Sequence, residues 1–263
     1  MHTPHLVPEN LISEKHGNLF PPAWAAASSA IVCFTPLPGQ FEKYSVETAS
    51  LRHFLHSPNS EVRLCQYDNF PFIVISEVYG FAVGATTVEE LVHHGIKHII
   101  GLGYVGAYNG APVGKRFVAT GTMSDLPLAV HYGIVEEELC EPTASFLELI
   151  TSCADSDDED WGRYTVWSGN SLYREYPKIV SRMKSAGCEV VNMDTLSIYA
   201  VTPVCAEDTG QDVECIYVGT VTDSINNESG EWDSDLMENV SGSAGKAHDG
   251  LVKFLVETVI PRL

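Results

Sequence analysis

In "KHIIGLGYVGA", Lys97 to Ala107, an apolar run leads into three glycines. Gly101, Gly103 and Gly106 have the spacing G-x-G-x-x-G of a dinucleotide-binding fingerprint. That motif requires a helix directly after it, because the pyrophosphate binds free backbone N–H groups at a helix N-terminus. The next seven residues, 108 to 114, contain two glycines and a proline, which oppose a helix. The sequence therefore argues against a dinucleotide site and predicts a Gly-rich turn with another purpose.

Composition excludes several classes of partner. The formal net charge of -20 argues against a nucleic-acid backbone or an anionic membrane surface, since both require a basic face. Seven cysteines without a C-x-x-C pair indicate reduced, buried thiols rather than a disulfide framework or a zinc module. His94 and His98 are four residues apart, but Gly95 separates them. We expect no metal and no cofactor, and, without a leader-like or membrane-spanning segment, a cytoplasmic protein.

The chain divides into an irregular N-terminal segment, residues 1–29, and one domain, residues 30–263. Short runs rich in β-branched or aromatic residues predict strands at Ala30 to Phe34, Val62 to Tyr67, Phe72 to Val78, Lys97 to Leu102, Arg116 to Thr120, Cys188 to Asn192 and Glu214 to Val221. Apolar residues at three- and four-residue spacing predict helices at Phe41 to Leu55, Thr86 to His94, Leu172 to Ala186, Asp194 to Ala206 and Ala247 to Val259. This alternation indicates an α/β fold with a mixed, mostly parallel central sheet flanked by helices.

Three segments in order resemble the nucleoside phosphorylase superfamily, which contains purine nucleoside phosphorylases, uridine phosphorylases and the methylthioadenosine/adenosylhomocysteine nucleosidases. They are "IIGLGYVGA", "GNSLYREYPKIVSRMKSAGCEVVNMDTLSIYAV" (Gly169 to Val201) and "IYVGTVTDSI" (Ile216 to Ile225). The resemblance implies a single-domain, three-layer fold. It also implies that the Gly-rich turn, with Gly101, Gly103 and Tyr104, lines the pocket for the sugar and the nucleophile.

The resemblance assigns two carboxyl groups. Asp223 matches the acid that protonates the leaving base, a useful group because electrons flow into the base when an N-ribosidic bond breaks. Asp194 matches the second Glu of the family's "V-E-M-E" element, which accepts hydrogen bonds from the ribose hydroxyls, and Met193 matches the methionine that packs on the sugar. The alternatives are a loop-capping Asp223 and an Asp194 that caps the helix after it.

Other positions depart from the family pattern. Asn192 replaces the first Glu of "V-E-M-E", and Leu172 replaces the stacking Phe of the base platform, where Tyr173 offers an aromatic face. The segment "TPHL" resembles the one that sends a His to the neighbouring subunit's ribose, which makes His5 a candidate ribose ligand. The resemblance therefore implies a homo-oligomer, either a dimer or a trimer of dimers.

The phosphate-binding positions are the most informative departure. Phe41 stands where the "G-D-P-x-R" loop has its Arg, and Gly101 and Tyr104 stand at the Arg and Ser/Thr positions of the Gly-rich turn. The sequence thus favours hydrolytic cleavage of a purine-type nucleoside, with Glu42 or Glu77 as the base that activates water. Two alternatives stay open. One is a phosphorylase whose site is rebuilt by Arg52, Arg116 or an Arg from a neighbouring subunit, and the other is a nucleoside-binding or storage protein without cleavage activity.

Overall fold

The computed structural model describes residues 6–12, 19–49, 62–157, 159–225, 232–234 and 242–263. Strands and helices alternate in these ranges, in the order β1 (Ser29–Cys33), β2 (Ser45–Ala49), β3 (Val62–Tyr67), β4 (Phe70–Ile75), α2 (Gly80–His93), β5 (His98–Ala107), β6 (Arg116–Met123), α3 (Ala144–Asp155), β7 (Trp161–Ser168), α4 (Pro177–Ser185), β8 (Val190–Asn192), α5 (Thr195–Thr209), β9 (Glu214–Ile225), β10 (Trp232–Ser234) and α6 (Ser243–Phe254). The short helix α1 (Pro8–Leu11) precedes them, and a π turn (Leu255–Val259) and a 3-10 turn (Ile260–Arg262) follow α6.

One sheet holds all the described strands, in the order β10-β9-β6-β7-β8-β5-β1-β4-β3-β2. Because β9 also pairs with β5, strands β5, β9, β6, β7 and β8 close into a ring, and the other strands extend from it. β5 pairs in parallel with β1 and β9 and antiparallel with β8. The longest ladders, β5 with β9 and β6 with β7, are parallel, and parallel pairing joins more residues of the described strands than antiparallel pairing, so the sheet is mixed and mostly parallel, as expected.

Helices cover both faces of this sheet, which confirms the three-layer arrangement. Side chains of α2 and α5, such as Leu91 and Val201, pack with Ile99 of β5 in one apolar core. Side chains of α3 and α6, such as Ile150 and Leu251, pack in a second core with Ile100 and Leu102 of β5. Successive residues of a strand point to opposite faces, so side chains of β5 pack in both cores.

Several elements differ from their prediction. The helix expected from Phe41 to Leu55 is wrong. Its first part is a 3-10 turn, Gly39–Tyr44, followed by β2, and residues 50–55 lie outside the described residues. Pairing of β2 with the edge of β3 decides the conformation here, a long-range contact that helical spacing cannot reveal. The sequence reading also missed α3 and β7. All seven cysteines are free and buried, as expected.

The glycine-rich stretch is a strand and not a turn. β5 runs through all three glycines to Ala107, so the predicted turn is wrong, whereas the expected absence of a helix after it is confirmed. A Cβ at Gly101 would lie 2.5 Å from Cδ2 of Tyr217, and a Cβ at Gly103 would collide with the hydroxyl of the same tyrosine. These glycines are required because the Tyr217 ring packs directly on the backbone of β5.

Candidate active site

The candidate site lies at the carboxyl edge of the sheet. The parallel strands β1, β4, β5 and β9 end at this edge, where ligands of open α/β sheets bind. Glu77 follows β4, Asp194 follows β8, and Asp223 lies near the end of β9 opposite Gly106 of β5. The topology therefore brings carboxyl groups from distant parts of the sequence to one edge of the molecule.

Asp194 is buried and joins two helices. It occupies the N-cap position of α5, but its side chain makes no capping hydrogen bond to that helix. Instead its Oδ1 accepts a hydrogen bond, 2.9 Å long, from the backbone N–H of Gly80, the first residue of α2. Burial raises the pKa of Asp194 to about 7, although the hydrogen bond from Gly80 opposes that change. This carboxyl therefore titrates close to neutral pH.

Asn192 supplies the cap that Asp194 does not. Its Oδ1 accepts hydrogen bonds from the backbone N–H groups of Asp194 (3.1 Å) and Thr195 (3.2 Å). Its Nδ2 donates to Oγ1 of Thr195 at 2.8 Å. The departure from the family's first Glu thus has a local structural role: Asn192 fixes the start of α5 and with it the position of Asp194.

Of the two candidate bases, Glu77 lies at this edge and Glu42 is held by an ion pair. Glu77 and Asp194 both raise the pKa of Tyr79, after burial as the larger cause, so these three side chains lie near one another. Glu77 has a left-handed backbone, with φ of 57°, and its N–H donates to the carbonyl of Thr35 at 2.9 Å. Such a conformation is costly for a residue with a side chain and is concentrated at functional sites.

Glu42, by contrast, is exposed and pairs with Arg63 at 3.0 Å. The pairing engages one carboxylate oxygen of Glu42, and Arg63 lies on β3, two strands away from β1 in the sheet order. The geometry favours Glu77.

Asp223 forms a second cluster with residues that the sequence reading did not single out. The Thr222 hydroxyl donates to its Oδ1 at 3.0 Å, and a Cβ at Gly106 would lie 2.9 Å from its Oδ2, so the carboxylate lies over a glycine. Tyr108, two residues after Gly106, donates a hydrogen bond from its hydroxyl to Glu175. Burial is the main cause that raises the pKa of Glu175, and the charge of Asp223 adds to it. Two carboxyl groups and a phenol therefore converge here.

The predicted base platform is exposed. Leu172 and Tyr173 lie in the loop between β7 and α4, and the Tyr173 side chain is 84% exposed. The same loop instead brings Glu175 towards Asp223. Met193 is half-buried between Asn192 and Asp194, and His5 lies outside the described residues. The only sequence signal for Tyr108 and Glu175 is their position: Glu175 lies within the second segment that carries the family resemblance, and Tyr108 directly follows the first.

The positions that correspond to phosphate ligands do not converge. Phe41 is completely buried in the core formed by α3 and α6. Gly101 lies under Tyr217, whereas the Tyr104 ring lies on the opposite face of β5, 4.5 Å from the ring of His248. Arg116 donates to the carbonyl of Ala247 and pairs with acidic residues after α3, and Arg52 lies outside the described residues.

The comparisons with known proteins identify the family. A model of the phosphorylase superfamily matches residues 30–257. The chain belongs to this superfamily. A relative from Acanthamoeba polyphaga mimivirus, uncharacterized protein R802, is 33% identical over 244 residues, which are 92% of this chain and 91% of the relative. Membership supports cleavage of an N-glycosidic bond as the general activity.

Solved structures share the fold. Uridine phosphorylase from Vibrio fischeri ES114 has a TM-score of 0.71 at 17% identity, covering 90% of this chain and 92% of that one. Purine nucleoside phosphorylase from Toxoplasma gondii has a TM-score of 0.67 at 16% identity, with 91% and 94% covered. The 5'-methylthioadenosine/S-adenosyl homocysteine nucleosidase from Campylobacter jejuni has a TM-score of 0.66 at 15% identity, with 88% and 97% covered.

The described ranges contain neither a membrane-spanning helix nor a cluster of metal ligands. None of their helices is long and apolar enough to cross a membrane. Their His, Cys, Asp and Glu side chains form no group of three that could hold a metal ion.

The pKa of Asp194 predicts a pH-dependent stability. Because burial raises this pKa from 3.8 to about 7, the protonated form stabilises the fold, and that contribution is lost as pH rises from about 4 to about 7. At about 1.4 kcal/mol per pH unit, the loss is roughly 4 kcal/mol. Asp194→Asn keeps an acceptor for Gly80 and removes the ionisation. We expect urea unfolding from pH 4 to 8 to show the wild type losing this stability relative to the variant.

The matched control is Asp208→Asn, an exposed aspartate on the same helix, whose stability should follow that of the wild type across this range. If the wild type and Asp194→Asn kept a constant difference in free energy of unfolding from pH 4 to 8, Asp194 would not titrate as described.

Proposed function

We propose that this protein hydrolyses the N-ribosidic bond of a purine-type nucleoside. The choice of water over phosphate rests on the three positions that correspond to phosphate ligands in the family. Phe41 is buried in the core, Gly101 lies under the Tyr217 ring, and the Tyr104 ring packs near His248. Each hydrogen bond between a charged donor and phosphate contributes about 1.5 to 3 kcal/mol. Two missing arginines therefore leave a phosphate dianion weakly bound.

The reaction assigns one role to each carboxyl group. Asp223 donates a proton to N7 of the purine while the electron pair of the C1'–N9 bond moves into the base. Water attacks C1', and Glu77 accepts the proton that this water loses. Asp194 uses Oδ2 to accept hydrogen bonds from the ribose hydroxyls, with Met193 packed against the sugar and Leu172 and Tyr173 next to the base. The products are free base and ribose, or a 5'-substituted ribose.

The proposal includes a homo-oligomer. The segment between β6 and α3 exposes four large apolar side chains, Leu126, Val130, Val135 and Leu139. Large exposed apolar patches mark protein interfaces, and these four side chains of one segment are the candidates for such a patch. A second copy of the chain is the natural occupant, because closed homo-oligomers are the common assembly of soluble proteins.

We expect light scattering to give at least the mass of a dimer at micromolar concentration, and the double variant Val130→Asp, Val135→Asp to dissociate. Two desolvated carboxylates are far too costly for an apolar interface to retain. Val46→Asp, an equally exposed valine on β2, is the control that should keep the wild-type mass. A wild-type monomer would contradict the proposed assembly.

We predict that base release proceeds in phosphate-free buffer and yields free ribose. The experiment follows a panel of purine nucleosides by NMR, with and without roughly 50-fold excess of phosphate over substrate, enough to load a weak site by mass action. Ribose 1-phosphate as the sole sugar product, formed only with phosphate, would establish a phosphorylase. No release of base under either condition would favour the nucleoside-binding alternative.

We predict that Asp223→Asn lowers kcat/KM for a purine nucleoside about 100-fold or more, the usual scale for loss of a general acid. The amide has nearly the same volume and can still accept from Thr222, so the unfolding temperature should change little. Asp212→Asn, an exposed aspartate just before β9, should keep the wild-type rate. A wild-type rate for Asp223→Asn would remove this residue from the mechanism.

A further inference from the structure

Glu175 lies beside the acid assigned to the leaving base, and the roles given above leave it unused. The hydroxyl of Tyr108 donates a hydrogen bond to Oε2 of Glu175. Tyr108 is itself fixed at its backbone, because its N–H donates to the carbonyl of Glu189 at 3.0 Å and its carbonyl accepts from Nζ of Lys184 at 3.2 Å. The loop between β7 and α4 is thus tied at Glu175 to the end of β5.

The same contacts place Glu175 near Asp223. The Asp223 carboxylate lies over Gly106, and Tyr108 follows two residues later along the same chain direction. The charge of Asp223 contributes to the raised pKa of Tyr108 and of Glu175, with burial as the larger cause for each. Glu175 is half-buried, while its loop neighbours Arg174 and Tyr176 are exposed. It therefore stands between the protein interior and the solvent.

We propose that Glu175 is a positioning residue that resupplies the proton which Asp223 delivers to the leaving base. This inference rests on the proposed function. Asp223 gives its proton to the purine N7 as the C1'–N9 bond breaks and becomes a carboxylate. A proton then passes from the Glu175 carboxyl to the Asp223 carboxylate, and solvent at the exposed loop returns a proton to Glu175. No oxidant, reductant or further reactant is needed.

The groups around Glu175 set the sign of its pH dependence. Asp223 of β9 and burial raise its pKa, whereas the hydrogen bond from Tyr108 of the β5 end lowers it. Lys184 of α4 and Glu189 before β8 contact Tyr108, and Asn109 donates to the Glu189 side chain at 3.5 Å. Because the reaction uses protonated Glu175, the rate should fall as pH rises through its pKa. Tyr108→Phe removes the hydrogen bond that favours the carboxylate and should move this fall to higher pH.

The test compares two leaving groups over a pH series. An ordinary purine nucleoside needs a proton to leave, whereas a 7-methylpurine nucleoside carries a positive charge on the base and leaves without one. We expect Glu175→Gln to lower kcat for the ordinary nucleoside about 10-fold or more, toward the lower end of general acid–base effects, because reprotonation of Asp223 follows bond cleavage. The same variant should keep the wild-type rate on the 7-methyl nucleoside within about 2-fold, because that reaction bypasses proton delivery. Glu207→Gln, an exposed glutamate on α5, is the matched control.

The outcomes separate this inference from the proposed function. If the wild type releases base from neither nucleoside, the proposed function fails and Glu175 has no proton to supply. If the wild type cleaves both and Glu175→Gln is unaffected, or loses equally on both, the function stands and the role of Glu175 is overturned. Tyr108→Phe provides an independent readout should Glu175→Gln fold poorly. A shift of the fall to higher pH supports the inference, and an unchanged pH profile contradicts it.

Discussion

The Tyr217 ring packs directly on the backbone of β5, at the centre of the sheet. The ring is completely buried and covers Gly101 and Gly103, so neither position can carry a side chain. The contact joins β5 to β9, which pair in parallel along their whole length and close the ring of strands. The backbone N–H of Tyr217 also donates a hydrogen bond, 2.9 Å long, to the hydroxyl of Tyr199 on α5. Tyr217 therefore connects β5, β9 and α5.

This packing also shapes the chemistry of the site. An arginine at position 101 would have to displace a buried aromatic ring, and overpacking typically costs about 1 to 3 kcal/mol. The hydroxyl end of the same ring lies at Gly103 and close enough to Asp194 for the carboxylate to raise the Tyr217 pKa. One buried aromatic side chain thus lies next to both Gly101 and Asp194.

The sequence predicts the fold well where local pattern and long-range pairing agree. The runs that became β1, β3 and β9 are apolar and β-branched, and the structure confirms them as strands. Prediction failed where tertiary contacts decide: β2 exists because it pairs with β3, and the glycines of β5 are extended because Tyr217 lies on them. The glycine spacing, which is typical of a turn, does not indicate that the Tyr217 ring packs on these residues.

The candidate site was less predictable than the fold, for a related reason. Asp194 and Asp223 were named from their place in family motifs, but their surroundings come from other segments. Gly80 and Asp194 are 114 residues apart in the sequence, and Tyr108 and Glu175 are 67 residues apart.

The net charge does not help to locate the site, because a charge of -20 is screened over roughly 8 to 10 Å at ordinary ionic strength. Asp194 and Glu175 combine burial with a fixed partner, and both features change which protonation state the fold favours. Asp194 has a backbone N–H and Glu175 has a phenol, and these partners hold each carboxyl in place while burial raises its pKa. An excess of surface carboxylates therefore says nothing about proton transfer, whereas a buried Asp194 paired with a backbone N–H at a helix start and a half-buried Glu175 paired with a phenol after a strand are two distinct environments.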